Sequence, residues 1–408
     1  MEIKGQRLWD SLMSMAEIGA TLKGGSCRLA LTDEDKNGRD LFVSWCKDSG
    51  YLVTIDQIGN IFARRQGLNQ NLPPVVLGSH LDTQPTGGRF DGVYGVLTGL
   101  EVLRTLDDYG IQTEHPIEVA CWTNEEGSRF APPMIASGVF AGIYDLDFAL
   151  SRVDADGKLL GQELKRIGYA GRSVVAGRQL HAYFEVHIEQ GPILVEDNHT
   201  IGVVTGAQGQ RWYELVLVGK ESHAGPTPMD RRQDALLGAA RVVELINQVG
   251  LDFAPDACAT VGMLNCYPNS RNVIPGRTFL TLDLRHPDDR ILSEMCKAVE
   301  SEVARLAEAS SLDCDLQEIF YFAPVPFHAQ CVTAVRNAAN YLHYQAKDMI
   351  TGAGHDACFV AKVAPTAMVF IPCIGGVSHN EEEDIRPEWA TAGANVALHA
   401  VTEVALAV

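Results

Sequence analysis

The chain is short of positive charge: 33 Lys and Arg stand against 52 Asp and Glu, a formal net charge of −19. Sequence-independent nucleic-acid binding needs a basic footprint, and anionic membrane surfaces attract polybasic segments, so neither partner class is expected. No apolar run reaches 18 residues, and the opening MEIKGQRLWDSLMSMAEIGA lacks the long apolar core of a signal peptide. The ten cysteines include no CxxC pair and form no compact framework. Reduced thiols in a cytoplasm are therefore expected. Cys121 in IEVACWT and Cys373 in VFIPC lie in strand-like runs and read as small core residues. Internal repeats and low-complexity segments are also missing. The acidity itself names no partner; it keeps a protein soluble.

What is present fits two domains, since 408 residues at 46% hydrophobic content can bury two cores. Helix-like spacing over 6–20 and 34–48 precedes a hairpin around Ile58-Gly59-Asn60. Strand-like runs at 74–79, 117–123, 182–188 and 366–372 alternate with helix-like stretches at 92–106, 158–167 and 387–406. This alternation predicts an α/β domain with a mostly parallel sheet covered by helices. Between 211 and 324 the texture changes. WYELVLVGK, ATVGMLNC, RTFLTLDLR and CDLQEIFY read as strands around helices at 231–249 and 288–309, the order of a ferredoxin-like α+β layer. The strand-like run at 366–372 lies beyond it, so residues 211–324 are an insertion in a first domain made of 1–210 and 325–408.

The chemistry-bearing residues sit where apolar runs end. His80 and Asp82 end one, Asp91 opens a helix-like stretch after the loop PTGGRF, and Glu125-Glu126 end another. Side chains at the C-terminal ends of strands in an α/β sheet converge on one crevice, where imidazole and carboxylate suit divalent cations. Asp82 shares a face of extended chain with His80 and can orient its ring through the second nitrogen. Asp91 can bridge two metals, cap the helix, or do both. Glu125 and Glu126 point apart, so one can bind metal while the other acts as general base. His187 in FEVHIEQGP and His379 in GGVSHNEEED complete two sites sharing Asp91, with Gly375 and Gly376 allowing the turn that aims His379 inward. The run EEED at 381–384 reads as a solvated face.

Nearly the whole chain resembles the M20-type metallo-aminohydrolases, in their hydantoinase/carbamoylase branch. The motifs GSHLDT, GGRFDGVYGVL, TNEEGSRF, HIEQGP, SHAGPTPM, NVIPG, LDLRHPD, TGAGHDA and GGVSHNEEE stand in the family's order. The resemblance implies His80, Asp91, Glu126, His187 and His379 as ligands of two divalent ions, with Asp91 bridging and Glu125 as general base. It also implies that the insertion is a lid forming a homodimer, and it places Gln190, His223, Asn272 and Arg285 around the substrate. Gly354 and His355 would add a backbone amide and a side chain near it. Arg285 could grip a carboxylate with its planar fork, or pair with Asp283 or Asp288. Asn272 could equally be turn chemistry. The implied reaction is hydrolysis of the N-carbamoyl group of a small ureido-carboxylate such as an N-carbamoyl-L-amino acid or N-carbamoyl-β-alanine. The products would be the amino acid, ammonia and carbon dioxide. Allantoate amidohydrolase uses the same residues. A dipeptidase or aminoacylase is disfavoured by His187, where peptidase members usually carry an acid. A non-catalytic binding protein is disfavoured by retention of Glu125 and all five ligands. Donor types do not choose among zinc, manganese and cobalt.

Overall fold

The computed structural model describes residues 1–407. The chain divides into two compact units: Met1–Thr205 with Phe327 onward, and Gly206–Pro326. In the first, four parallel strands lie side by side in the order Ile117–Trp122, Val75–His80, Ala182–Ile188, Thr366–Ile371. Each is buried along its whole length, as strands covered on both faces must be. Antiparallel strands extend the sheet on either side. Ile61–Arg65 and Leu52–Ile55 form the hairpin around Gly59 at one edge, and Ile201–Ala207 follows Thr366–Ile371 at the other. The sheet is thus parallel at its centre and antiparallel at its margins. Two marginal strands, Ile201–Ala207 and Ala346–Thr351, had no clear sequence signature. The first carries two glycines; the second is only half-buried and carries Lys347 and Asp348.

The helix Val93–Asp108 lies on three of the parallel strands and is itself covered by the helices Gly5–Ala16 and Pro387–Leu406. That position explains its apolar character on nearly every face. The helix Asp33–Asp48 is fastened differently. Arg39, fully buried, donates from Nε to Asp35 at 2.8 Å and from Nη1 to the Gly59 carbonyl at 2.9 Å, and approaches Thr123 Oγ1 at 3.3 Å. The hairpin turn and the segment after Ile117–Trp122 are thereby tied to one guanidinium.

The second unit is a four-stranded antiparallel sheet in the order Asp313–Phe322, Gly209–Val218, Arg277–His286, Cys258–Tyr267. The helices Ala235–Asp252 and Asp289–Ala309 cover one face. Asp234 and Asp288 cap them by accepting two backbone N–H bonds each. Tyr213, Leu215 and Leu217 alternate inward beside Leu280, Leu282 and Leu284 to form the core. The unit begins at Gly206 instead of 211 and ends at Pro326 instead of 324. Gly209, Gln210 and Arg211 pair with His286, Arg285 and Leu284 through their backbones, which leaves no mark in the side-chain pattern.

Among the described residues no cysteine is in a disulfide, and Cys121 and Cys373 are buried. Among the described residues, no helix is long and apolar enough to cross a membrane. Asp35→Ala would leave the Arg39 guanidinium buried without its counter-charge, and should cost about 3–5 kcal/mol in urea unfolding. A loss below ~1 kcal/mol would show that the pair does not hold this corner of the fold.

Candidate metal centre

Three neighbouring parallel strands deliver their C-terminal ends to one edge of the sheet. His80 ends its strand, His187 is the penultimate residue of the next, and Thr123-Asn124 lead from Trp122 to Glu125 and Glu126. The fourth, Thr366–Ile371, runs into the turn carrying His379, whose φ of +52° is left-handed. Asp91 precedes the helix Val93–Asp108 but does not cap it. The N-cap is Gly92, at φ +66°, without a side-chain bond. A Cβ on Gly92 would lie 2.4 Å from the His80 ring, so only glycine lets the two approach.

Asp91 is the hub. Its Oδ1 lies 3.1 Å from His187 Nε2 and 3.5 Å from His80 Nε2, and its Oδ2 lies 3.4 Å from His379 Nε2. Glu126 Oε2 is 3.4 Å from His379 Nε2, and Glu125 Oε2 is 3.5 Å from His80 Nε2. Donor atoms of His80, Asp91 and His187 all lie within 4.8 Å of one another, as do those of Asp91, Glu126 and His379. Each oxygen of one carboxylate therefore faces its own donor set.

The two inner imidazoles are anchored at Nδ1, which turns Nε2 toward Asp91. His80 Nδ1 meets the Asp82 carbonyl at 2.8 Å and His187 Nδ1 meets the Ile188 carbonyl at 2.9 Å. A carbonyl only accepts, so Nδ1 carries the proton in both. This corrects the expectation for Asp82. Its carboxylate stands 4.0 Å from His80 Nδ1 and instead accepts the backbone N–H groups of Glu125 and Glu126, each at 3.2 Å. Asp82 orients the ring through its backbone and the two glutamates through its side chain.

Other candidates fall into place unevenly. Gln190, at φ +59°, donates to Asp91 Oδ2 at 2.8 Å and to Ser378 at 3.2 Å. His355 is buried, bonded to Thr351 Oγ1 at 3.1 Å and edge-on to His187 at 4.5 Å, so its ring backs a donor. Gly354 lies against Met134. His223, Asn272 and Arg285 belong to the second unit. His223 pairs with Val273 in a short ladder, and Asn272 accepts the Ala224 N–H at 2.9 Å through its backbone. Arg285 realises the Asp283 pairing, with Nη2 at 2.7 Å. Glu383 is the residue that sequence reasoning missed. The EEED run is not wholly solvated, because Glu383 is buried and bonded to the backbone of Phe90 and Asp91. Four consecutive acids offer no alternation from which one buried member could be picked out.

Residues 76–403 match Peptidase family M20/M25/M40. The chain belongs to this family. An N-carbamoyl-L-amino-acid amidohydrolase of Rhizobium meliloti is 52% identical over 403 residues, 99% of this chain and 97% of that protein. An allantoate amidohydrolase of Escherichia coli is 30% identical over 93% of this chain and 92% of its own length. Among solved structures, an amidase of the hydantoinase/carbamoylase family from Burkholderia multivorans superimposes with a TM-score of 0.97. It shares 62% identity, covering 100% of this chain and 99% of that one.

Enzymes of the family are metal-dependent, and the electrostatics fit. Among the described residues, the side-chain partners of Asp91, Glu125 and Glu126 are imidazoles, amides and a hydroxyl, with no Lys or Arg. Burial, reinforced by the Asp91 charge, pushes Glu126 and Glu383 up to about 7. Burial raises Glu125 well above the usual carboxylate range. Burial also works against the Asp91 anion, but bonds from His187, His379 and His80 outweigh it and hold that group well below its ordinary value. Nitrogen and oxygen donors with surplus negative charge suit zinc, manganese or cobalt.

Glu126 and Glu383 bind protons more tightly folded than unfolded. Without cations, stability should therefore fall as pH rises from their ordinary 4.5 to about 7. The Asp91 bond raises His379 to about 9, so its contribution is complete below 6.5 and is lost through 9, in the same direction. Chelator-treated protein should thus melt at progressively lower temperature from about pH 5 to 8, and a divalent cation should flatten the trend. A rising or level profile without metal would contradict the charge surplus.

Proposed function

We propose that this protein is an N-carbamoyl-amino-acid amidohydrolase, releasing the amino acid, ammonia and carbon dioxide from a small ureido-carboxylate. The observation that carries the reading is the Asp91 carboxylate, one oxygen toward each of two donor sets, with Glu125 beside them. His80 and His187 would hold one ion, Glu126 and His379 the other, and Asp91 both. When bound, two divalent ions supply Lewis acidity that polarises the carbamoyl oxygen and acidifies water. Glu125 takes the proton of the attacking water and delivers it to the departing nitrogen. Glu125, buried beside the donor sets, is placed to hold that proton between the two steps. His223 steadies the negative oxygen of the tetrahedral intermediate. Asn272 and Arg285 orient the substrate carboxylate, with Arg285 exchanging Asp283 for it. Ten free thiols fit a reducing cytoplasm.

The 52% identical relative supports the carbamoylase reading over the allantoate one, whose relative is 30% identical. A panel of N-carbamoyl-L-amino acids, N-carbamoyl-β-alanine, allantoate and a dipeptide, assayed for ammonia and free amine with added zinc or manganese, separates them. Turnover of N-carbamoyl substrates should dominate, and Glu125→Gln should lower it about 10²–10⁴-fold with metal retained. Preference for allantoate or the dipeptide would replace the proposal, and metal loss in Glu125→Gln would exchange the roles of Glu125 and Glu126.

We further read the 206–326 unit as a lid that pairs with its copy in a C2 homodimer, so that His223 serves the partner's site. Mixing inactive His223→Ala with inactive Glu125→Gln should then restore activity at about a quarter of sites after free exchange, because half the dimers are mixed and each has one intact site. A dead mixture with demonstrated exchange would confine His223 to its own chain.

A further inference from the structure

Neither the ligand nor the substrate assignments use Glu383, yet it is almost fully buried beside the donor cluster. Its Oε1 accepts the backbone N–H of Phe90 at 3.0 Å and of Asp91 at 3.1 Å. Its Oε2 accepts the Ser378 hydroxyl at 2.9 Å, and the same hydroxyl lies 3.2 Å from Asp91 Oδ2. Gly88 completes the seat: a Cβ there would stand 2.1 Å from the Glu383 carboxyl, so this part of the loop closes on the acid only as bare backbone. One carboxylate thus joins two loops nearly three hundred residues apart in sequence. One loop carries Asp91, and the other carries Ser378 and His379.

The two donor sets do not depend equally on this joint. His80 and His187 hang from central parallel strands, and each ring is anchored at Nδ1 by a backbone carbonyl. Their side chains are 2% and 1% exposed, against 52% for His379. His379 stands on a turn, and the Asp91 oxygen facing it is the one that Ser378 approaches. The sheet positions the first set. The second is positioned by loops that meet at Glu383.

We propose that Glu383 is a positioning residue for the cation site formed by Asp91, Glu126 and His379, leaving the His80–His187 site largely to the strands. The inference rests on the two-cation reading above. The Glu383 oxygens act by receiving backbone and hydroxyl protons, so geometry and not charge is what the site requires of them.

The test is calorimetric titration of chelator-stripped full-length protein with Mn²⁺ or Zn²⁺, together with metal analysis after dialysis. Wild type should bind two equivalents, one of which His379→Ala abolishes; one equivalent or none in wild type would overturn the two-cation reading itself. With two established, Glu383→Ala should weaken the His379-dependent ion about 10–100-fold and the other only a few-fold. Glu383→Gln, whose amide oxygen can still accept both N–H groups, should restore the second ion to within a few-fold. Ser378→Ala should show a smaller loss at the same ion, and it decides the matter if Glu383→Ala does not fold. Equal weakening of both ions, no weakening of either, or failure of Gln to rescue would overturn the positioning role. So would Ser378→Ala binding like wild type.

Discussion

Everything at the strand ends depends on keeping several carboxylates together, out of water, with no lysine or arginine among them in the described residues. Asp91 tolerates this because three imidazoles and an amide point at its two oxygens. Glu125 and Glu126 have less support, and burial drives both toward the neutral form. A cluster of this kind is costly for a folded protein by itself and becomes favourable when cations enter it. The same surplus of charge that burdens the fold makes it a metal centre.

The scaffold around that cluster is built in two ways. Fully buried parallel strands hold the two inner histidines, and the helix Val93–Asp108 presses on those strands while its N-terminal loop presents Asp91. Asp82 spends its carboxylate on the backbone of Glu125 and Glu126, fixing the one segment that bears both glutamates. Arg39 ties the preceding Thr123 and the hairpin turn to a distant helix. Toward the outer donor set the supports are loop against loop, with Glu383 as their joint.

The second unit has its own core and capped helices and is a separate piece of folding machinery. Of the polar residues proposed for substrate recognition, His223, Asn272 and Arg285 lie on it, whereas Gln190 and His355 lie on the first unit.

Much of this was legible in sequence because strand ends advertise themselves. An apolar run that stops at His80, Glu125 or His187 marks both a buried strand and the point where a polar side chain meets the crevice, so the donors and the α/β order could be read together. The βαββαβ order of the insertion was visible in the same way, through alternation along its strands. What could not be read were decisions made by backbone groups and loop closure. A carboxylate that binds N–H groups, as Asp82 and Glu383 do, satisfies donors that every residue has and that no pattern distinguishes. The seat of Glu383 against Phe90 and Asp91 spans 292 or more residues of chain. Residue identity alone determined which chemistry was available to this protein. Only the tertiary structure decided that each Asp91 oxygen faces a different donor set, because that depends on how separate loops meet in space.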